Sequence, residues 1–90
     1  MSQVTSGMDI AEVRNLATQL HNAANEIQQL MSRLTPLVHN AAWRGPDQVR
    51  FVGDWDGHHS SALRQVAEAL NQASQAANAN ATQQEQASGH

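Results

Sequence analysis

Ile10, Val13, Ala17, Leu20, Ala24, Ile27, Met31, Leu34, Val38 and Ala41 follow one another in alternating steps of three and four without a miss. A stripe of that period over more than four heptads is the signature of one long helix packed along a seam. Leu16, Ala23, Leu30 and Leu37 add a third apolar position to each heptad. The stripe is then wide enough to touch more than one neighbour, as in a bundle. Asp9 followed by Glu12 forms a capping box, so the helix is expected from about 9 to 40. Pro36 removes a backbone donor inside it. Because the apolar period runs through unbroken, a kink is expected there and not an end.

A second periodic segment follows: Leu63, Val66, Leu70, Ala73 and Ala77, with Val49, Phe51 and Val52 upstream. Phe51, Trp55 and Ala62 have the spacing to share a face. Pro46 suits the first position of a helix, Asp47 its first turn, and Gly45 a positive φ just before it. Gly53 and Gly57 oppose an early start, each costing about 1 kcal/mol relative to alanine inside a helix. "DG" at 56 and 57 is also a turn signal. The Phe51/Trp55 spacing outweighs them. The expected layout is a turn at about 41–45, a second helix at about 46–80 and a frayed tail at about 81–90, where the composition is Ala, Asn and Gln without a bulky anchor.

Ninety residues allow one small domain. Fifteen of the apolar residues are alanine, so a lone chain would have a thin core. There is no cysteine to staple it, and a domain of this kind usually needs a partner chain. Five arginines, no lysine and a net charge of -3 argue against nucleic acid as the main partner. No apolar run approaches the ~20 residues needed to span a bilayer, so stable membrane insertion is not expected. The first residues carry neither a basic start nor an apolar core of a signal peptide. An arginine-using, lysine-free, alanine-rich composition suits a GC-rich genome such as an actinobacterial one.

The middle of the chain, "NAAWRGPDQVRFVGDW" (residues 40–55), holds both tryptophans, the only phenylalanine, one of two prolines and two of five glycines. A central Trp43-Arg44-Gly45 between two heptad-patterned segments, in a chain of this length, resembles the WXG family. These are the small early-secreted-antigen-like (ESAT-like) substrates of bacterial type VII (ESX-like) secretion. Phe51 and Trp55 match the family's aromatic positions early in the second helix, and Leu63 and Leu70 its later apolar ones.

The resemblance implies an all-α fold: a helix-turn-helix hairpin that dimerises into an elongated four-helix bundle. The partner would be an identical chain or another WXG-type protein. The seam would be built from Ile10, Val13, Leu20, Ile27, Met31, Leu34, Leu63, Val66 and Leu70. The Trp-x-Gly turn would sit beside the C-terminal segment of the partner, and the two together would form an export signal read by a secretion ATPase. On that reading Trp43 is the exposed or groove-lining part, Gly45 permits the turn, and Phe51 and Trp55 pack the bundle end. The protein would be made in the cytoplasm and secreted without a cleavable signal peptide. The chain departs from the family in its tail. The family's C-terminal tyrosine, followed four residues later by an acidic residue, is missing; Glu85 supplies the acid and Ala81 stands in the tyrosine's place. A signal borrowed from a partner, a relaxed signal, and no export at all stay open.

Other constellations are weaker. "DWDGHH" places Asp54, Asp56, His58 and His59 within six residues, with i,i+4 and i,i+3 pairs that suit a divalent metal. No third and fourth ligand stand at a recognisable spacing, and a solvated polar face is the expectation. His58 and His59 are also candidates for a pH sensor. His21 and His39 have no evident partner. "HHSS" lacks the oriented base, acid and oxyanion hole of a hydrolase, so no enzyme and no cofactor are expected. Gly53 and Gly57 have the spacing of a close backbone approach. Two rival classes remain: an intracellular structural or adaptor hairpin that is never exported, and a membrane-surface amphipathic hairpin. The acidic balance opposes the latter.

Overall fold

The computed structural model describes residues 9–41 and 45–88. Helix α1 spans Ile10–Asn40. Asp9 is its N-cap: one carboxylate oxygen accepts from the Glu12 backbone N–H at 3.1 Å. The helix continues through Pro36. Helix α2 spans Pro46–Asp54, a π-helical turn spans Trp55–His59, and helix α3 spans Ser60–Ser88. The backbone stays helical across both junctions, so these three form one limb that folds back along α1. The hairpin is long and thin, 67 × 21 × 16 Å.

Two expectations are corrected here. The second helix does not stop near Asn80; it runs to Ser88. The added turns pack on α1 through the buried Ala81, and the Arg14 guanidinium reaches across to donate to Glu85 Oε1 at 2.8 Å and to Thr82 Oγ1 at 3.3 Å. The glycines do not delay the helix: α2 begins at Pro46, as expected. Nothing would come within 4 Å of a Cβ added at Gly53 or Gly57, so neither marks a close backbone approach within the hairpin.

The two limbs meet through small side chains. Ala17, Ala24, Ala67 and Ala81 are buried, together with Ser60 and Ser74. On the second limb Ser60, Ala67, Ser74 and Ala81 fall seven apart, a small residue at every heptad. Between them lie Leu63, Leu70 and Ala77, half-buried. Ser74 Oγ donates to the Ala17 carbonyl at 2.7 Å, a buried bond from one helix to the backbone of the other. That bond sets the register. Stepping seven residues each way brings Ala24 level with Ala67, and Met31 level with Ser60. A row of methyl and hydroxymethyl groups lets two backbones come close but removes little apolar area from water. No large side chain among the described residues is fully buried.

The π turn is the mark of one extra residue in the heptad. Gln48, Val52 and Trp55 are the half-buried, inward residues of the limb before the turn, and Ser60 and Leu63 those after it. The step from Trp55 to Ser60 is five, where three or four would continue a straight α-helix. The Ser60 N–H donates back to the Trp55 carbonyl, five residues earlier, and so absorbs the insertion. His59 is thereby kept exposed, and the small Ser60 faces α1 instead.

Two outcomes follow from this packing. Ala67→Leu puts a large side chain where the backbones approach, and urea unfolding followed by circular dichroism should show a loss of about 1–3 kcal/mol. Deleting Gly57 should restore an unbroken heptad: amide exchange and carbon shifts should report ordinary α-helix through residues 54–60, with Tm held or raised. A large fall in Tm would show that the seam does not set the register.

Candidate interaction surface

Gly45 closes the turn. Its φ of 100° and ψ of -174° are essentially open to glycine alone, and it has the only positive φ among the described residues. Its carbonyl accepts from the Val49 N–H at 3.3 Å, which starts α2 directly on the turn. Pro46 follows at the first helical position, where the missing N–H costs no bond. Trp43 lies outside the described residues.

Just beyond the turn, two side-chain bonds tie the π turn to α1. Trp55 is half-buried, and its Nε1–H donates to Thr35 Oγ1 at 2.9 Å. His39 Nε2 lies 2.8 Å from Asp56 Oδ1, an ion pair when the imidazole is protonated. Thr35 and His39 are one helical turn apart and flank Pro36, so the two irregular stretches of the hairpin lie at the same level. The second histidine without an evident partner in sequence is also placed. His21 Nδ1 lies 3.1 Å from Asn71 Oδ1, and its Nε2 lies 3.3 Å from the Asn25 amide nitrogen.

These bonds define one flank of the hairpin. Arg14, His21, Asn71 and Glu85 each directly follow an inward residue (Val13, Leu20, Leu70 and Gln84), and they meet across the gap in the pairs Arg14–Glu85 and His21–Asn71. In an antiparallel pair of helices, positions that follow on both helices share a side. Positions that precede the small-residue rows therefore share the opposite side. A shallow furrow of about 600 Å³, lined by Gln28, Met31, Ser32, Thr35, Pro36 and Arg64, belongs to the polar flank. Pro36 has no N–H to offer the Ser32 carbonyl, and both residues line this furrow.

The opposite flank is apolar. On α1 it carries Leu16, Ala23, Leu30 and Leu37; on the second limb, Phe51, His59, Val66 and Ala73. Among the described residues the exposed large hydrophobics are Leu16 (52%), Leu30 (37%), Leu37 (61%), Val49 (67%), Phe51 (40%) and Val66 (49%). All but Val49 stand on this one flank. Ala62, Ala69 and Ala76, three or four residues from Val66 or Ala73, widen it with further small apolar surface and are exposed. Its rim on α1 carries Glu12, Glu26 and Arg33. Scattered exposed leucines need no explanation, but an apolar strip rimmed by charge is a candidate contact surface.

The residues singled out from sequence divide accordingly. Ile10, Val13, Leu20, Ile27, Met31, Leu34, Leu63 and Leu70 are half-buried on the inward side of the hairpin. Val66 is not between the limbs; it is exposed on the apolar flank, as is Ala73. Trp55 is drawn onto α1, whereas Phe51 stays on the outer flank. Glu85 is held by Arg14. Asp56 pairs with His39 across the hairpin, and the His58 and His59 rings meet edge-on at 5.3 Å. No group of three or more His, Asp or Glu able to hold a metal occurs among the described residues. No helix among the described residues is long and apolar enough to cross a membrane. No protein-family model, curated protein or solved structure matches this chain.

Gly45→Ala forces an alanine into a conformation open only to glycine. It should lower the unfolding free energy by about 1–3 kcal/mol, measured by urea titration, although nothing lies within 4 Å of the new Cβ.

Proposed function

We propose that this chain is a non-enzymatic substrate, or partner protein, of a WXG-type export system, secreted without a cleaved leader as half of a four-helix bundle. The observation that carries this reading is a helical hairpin whose glycine-only turn directly follows Trp43-Arg44 and whose one flank is left apolar and exposed. A second hairpin laid on that flank would bury Leu16, Leu30, Leu37 and Val66 and complete a bundle. The turn would then stand at one end of the bundle as a rigid platform for Trp43, the part offered to a secretion ATPase. The clips from Trp55 to Thr35 and from Asp56 to His39 brace that end.

The test is secretion from a host with a working type VII system. Trp43→Ala should keep the helical signal in circular dichroism and abolish appearance in the medium. Normal export of the variant would remove the role assigned to Trp43. The intracellular adaptor is the second reading, favoured by the absent tyrosine and by the engagement of Glu85 with Arg14. Retention of the wild-type chain in the cell fraction of that host would support it.

A further inference from the structure

The polar flank of the hairpin is laced by bonds between the limbs, and one rung is left open. Arg14 reaches Glu85, His21 lies against Asn71, Trp55 donates to Thr35 and His39 meets Asp56. Seven residues on from His21 and seven back from Asn71 stand Gln28 and Arg64. Arg64 is exposed, and no hydrogen bond or ion pair ties it to Gln28 or to any other described residue. Glu68, one turn along the same helix, is outside ion-pair distance, and Arg before Glu is the weaker order for such a pair. Gln28 and Arg64 both line the furrow of about 600 Å³ beside Pro36. We propose that this furrow binds a short acidic peptide segment of another protein, its carboxylate on the Arg64 guanidinium and one of its main-chain N–H groups on the Ser32 carbonyl.

Three features of the furrow select that chemistry. The first is its charge. The chain has a net charge of -3, yet no Asp or Glu lines the furrow. The depression beside it shares Gln28 and Ser32, also lacks an acid, and includes Arg33, which has no ion pair among the described residues. An unpaired guanidinium presents a planar fork of donors that fits a carboxylate through two parallel bonds. The second is an acceptor. A helix carbonyl ordinarily takes the N–H four residues on, and Pro36 withholds it from Ser32. A free carboxylate has no proton to give that carbonyl, whereas a peptide N–H has. The third is apolar wall: Met31 and the Pro36 ring line the same furrow, so an apolar side chain beside the acidic residue gains cover there. The furrow lies on the flank away from the exposed leucines, so its occupancy is separate from both bundle formation and export.

The test is a nuclear magnetic resonance titration of the full, isotope-labelled chain. The probes are acetyl-leucyl-glutamyl-N-methylamide, its glutaminyl analogue, and sodium acetate, each taken to millimolar concentration. The glutamyl probe should give saturable shifts centred on the amides of Met31, Ser32 and Thr35 and on the Arg64 side-chain N–H. The glutaminyl analogue and acetate should each bind more weakly. Arg64→Gln should weaken the glutamyl probe about three- to tenfold while circular dichroism stays unchanged, because the side chain makes no bond in the fold. Arg50→Gln, which removes the same charge elsewhere, should leave binding as it was. Pro36→Ala returns an N–H to the Ser32 carbonyl and should weaken the glutamyl probe but not acetate. Acetate matching the glutamyl probe would reduce the furrow to a simple anion site and overturn the peptide. Absent or scattered shifts, equal binding of the glutaminyl analogue, or an Arg64→Gln chain that binds like wild type would overturn the site itself.

Discussion

The close approach of α1 and α3 over alanine and serine is the constraint on which the other features rest. Ala17 and Ala24 on one side, and Ser60, Ala67, Ser74 and Ala81 on the other, leave room for the Ser74 hydroxyl to reach the Ala17 carbonyl. That contact fixes which residues stand level with each other, and so which flank carries Arg14–Glu85 and His21–Asn71. The same smallness limits what the hairpin gains. Methyl groups bury little area, and the leucines and isoleucines of the seam remain only half-covered. A chain of ninety residues with such a core gains little stabilisation from its own apolar burial.

The irregularities of the hairpin serve the same seam. A strict heptad from Trp55 would carry His59 into the contact with α1. The π turn adds one residue, excludes the imidazole and admits Ser60. Pro36 lies opposite, where the helix gives up one internal bond. The Trp55–Thr35 and His39–Asp56 bonds join the two limbs at this level.

Much of the fold was legible. The apolar period of residues 10–41 is carried by large side chains, and the Asp9 cap and the glycine at 45 are local chemistry; all three appear where the pattern put them. The inward face of the second limb was harder to read. Leu63, Leu70 and Ala77 belong to two overlapping stripes, one completed by Val66 and Ala73, the other by Ala67 and Ser74. Hydrophobicity favours the first. Packing selects the second, because the backbones approach only over the smallest residues. The cross-limb partners of His21, His39 and Glu85 were hidden for a related reason: each lies at least 17 residues away on the opposite limb, and only the register of the seam brings it near.

The sequence by itself determined the all-helical hairpin, its long first helix and the place of the turn. Periodicity, capping and glycine geometry act within a few residues and do not wait for tertiary contacts. Only the tertiary structure decided which stripe of the second limb turns inward, that Glu85 is clamped and the helix reaches Ser88, and that Phe51 and Val66 join the exposed leucines of α1 on one flank. These depend on how one helix is rotated and shifted against the other. That rotation is set by side-chain size at a buried contact, which no local pattern encodes.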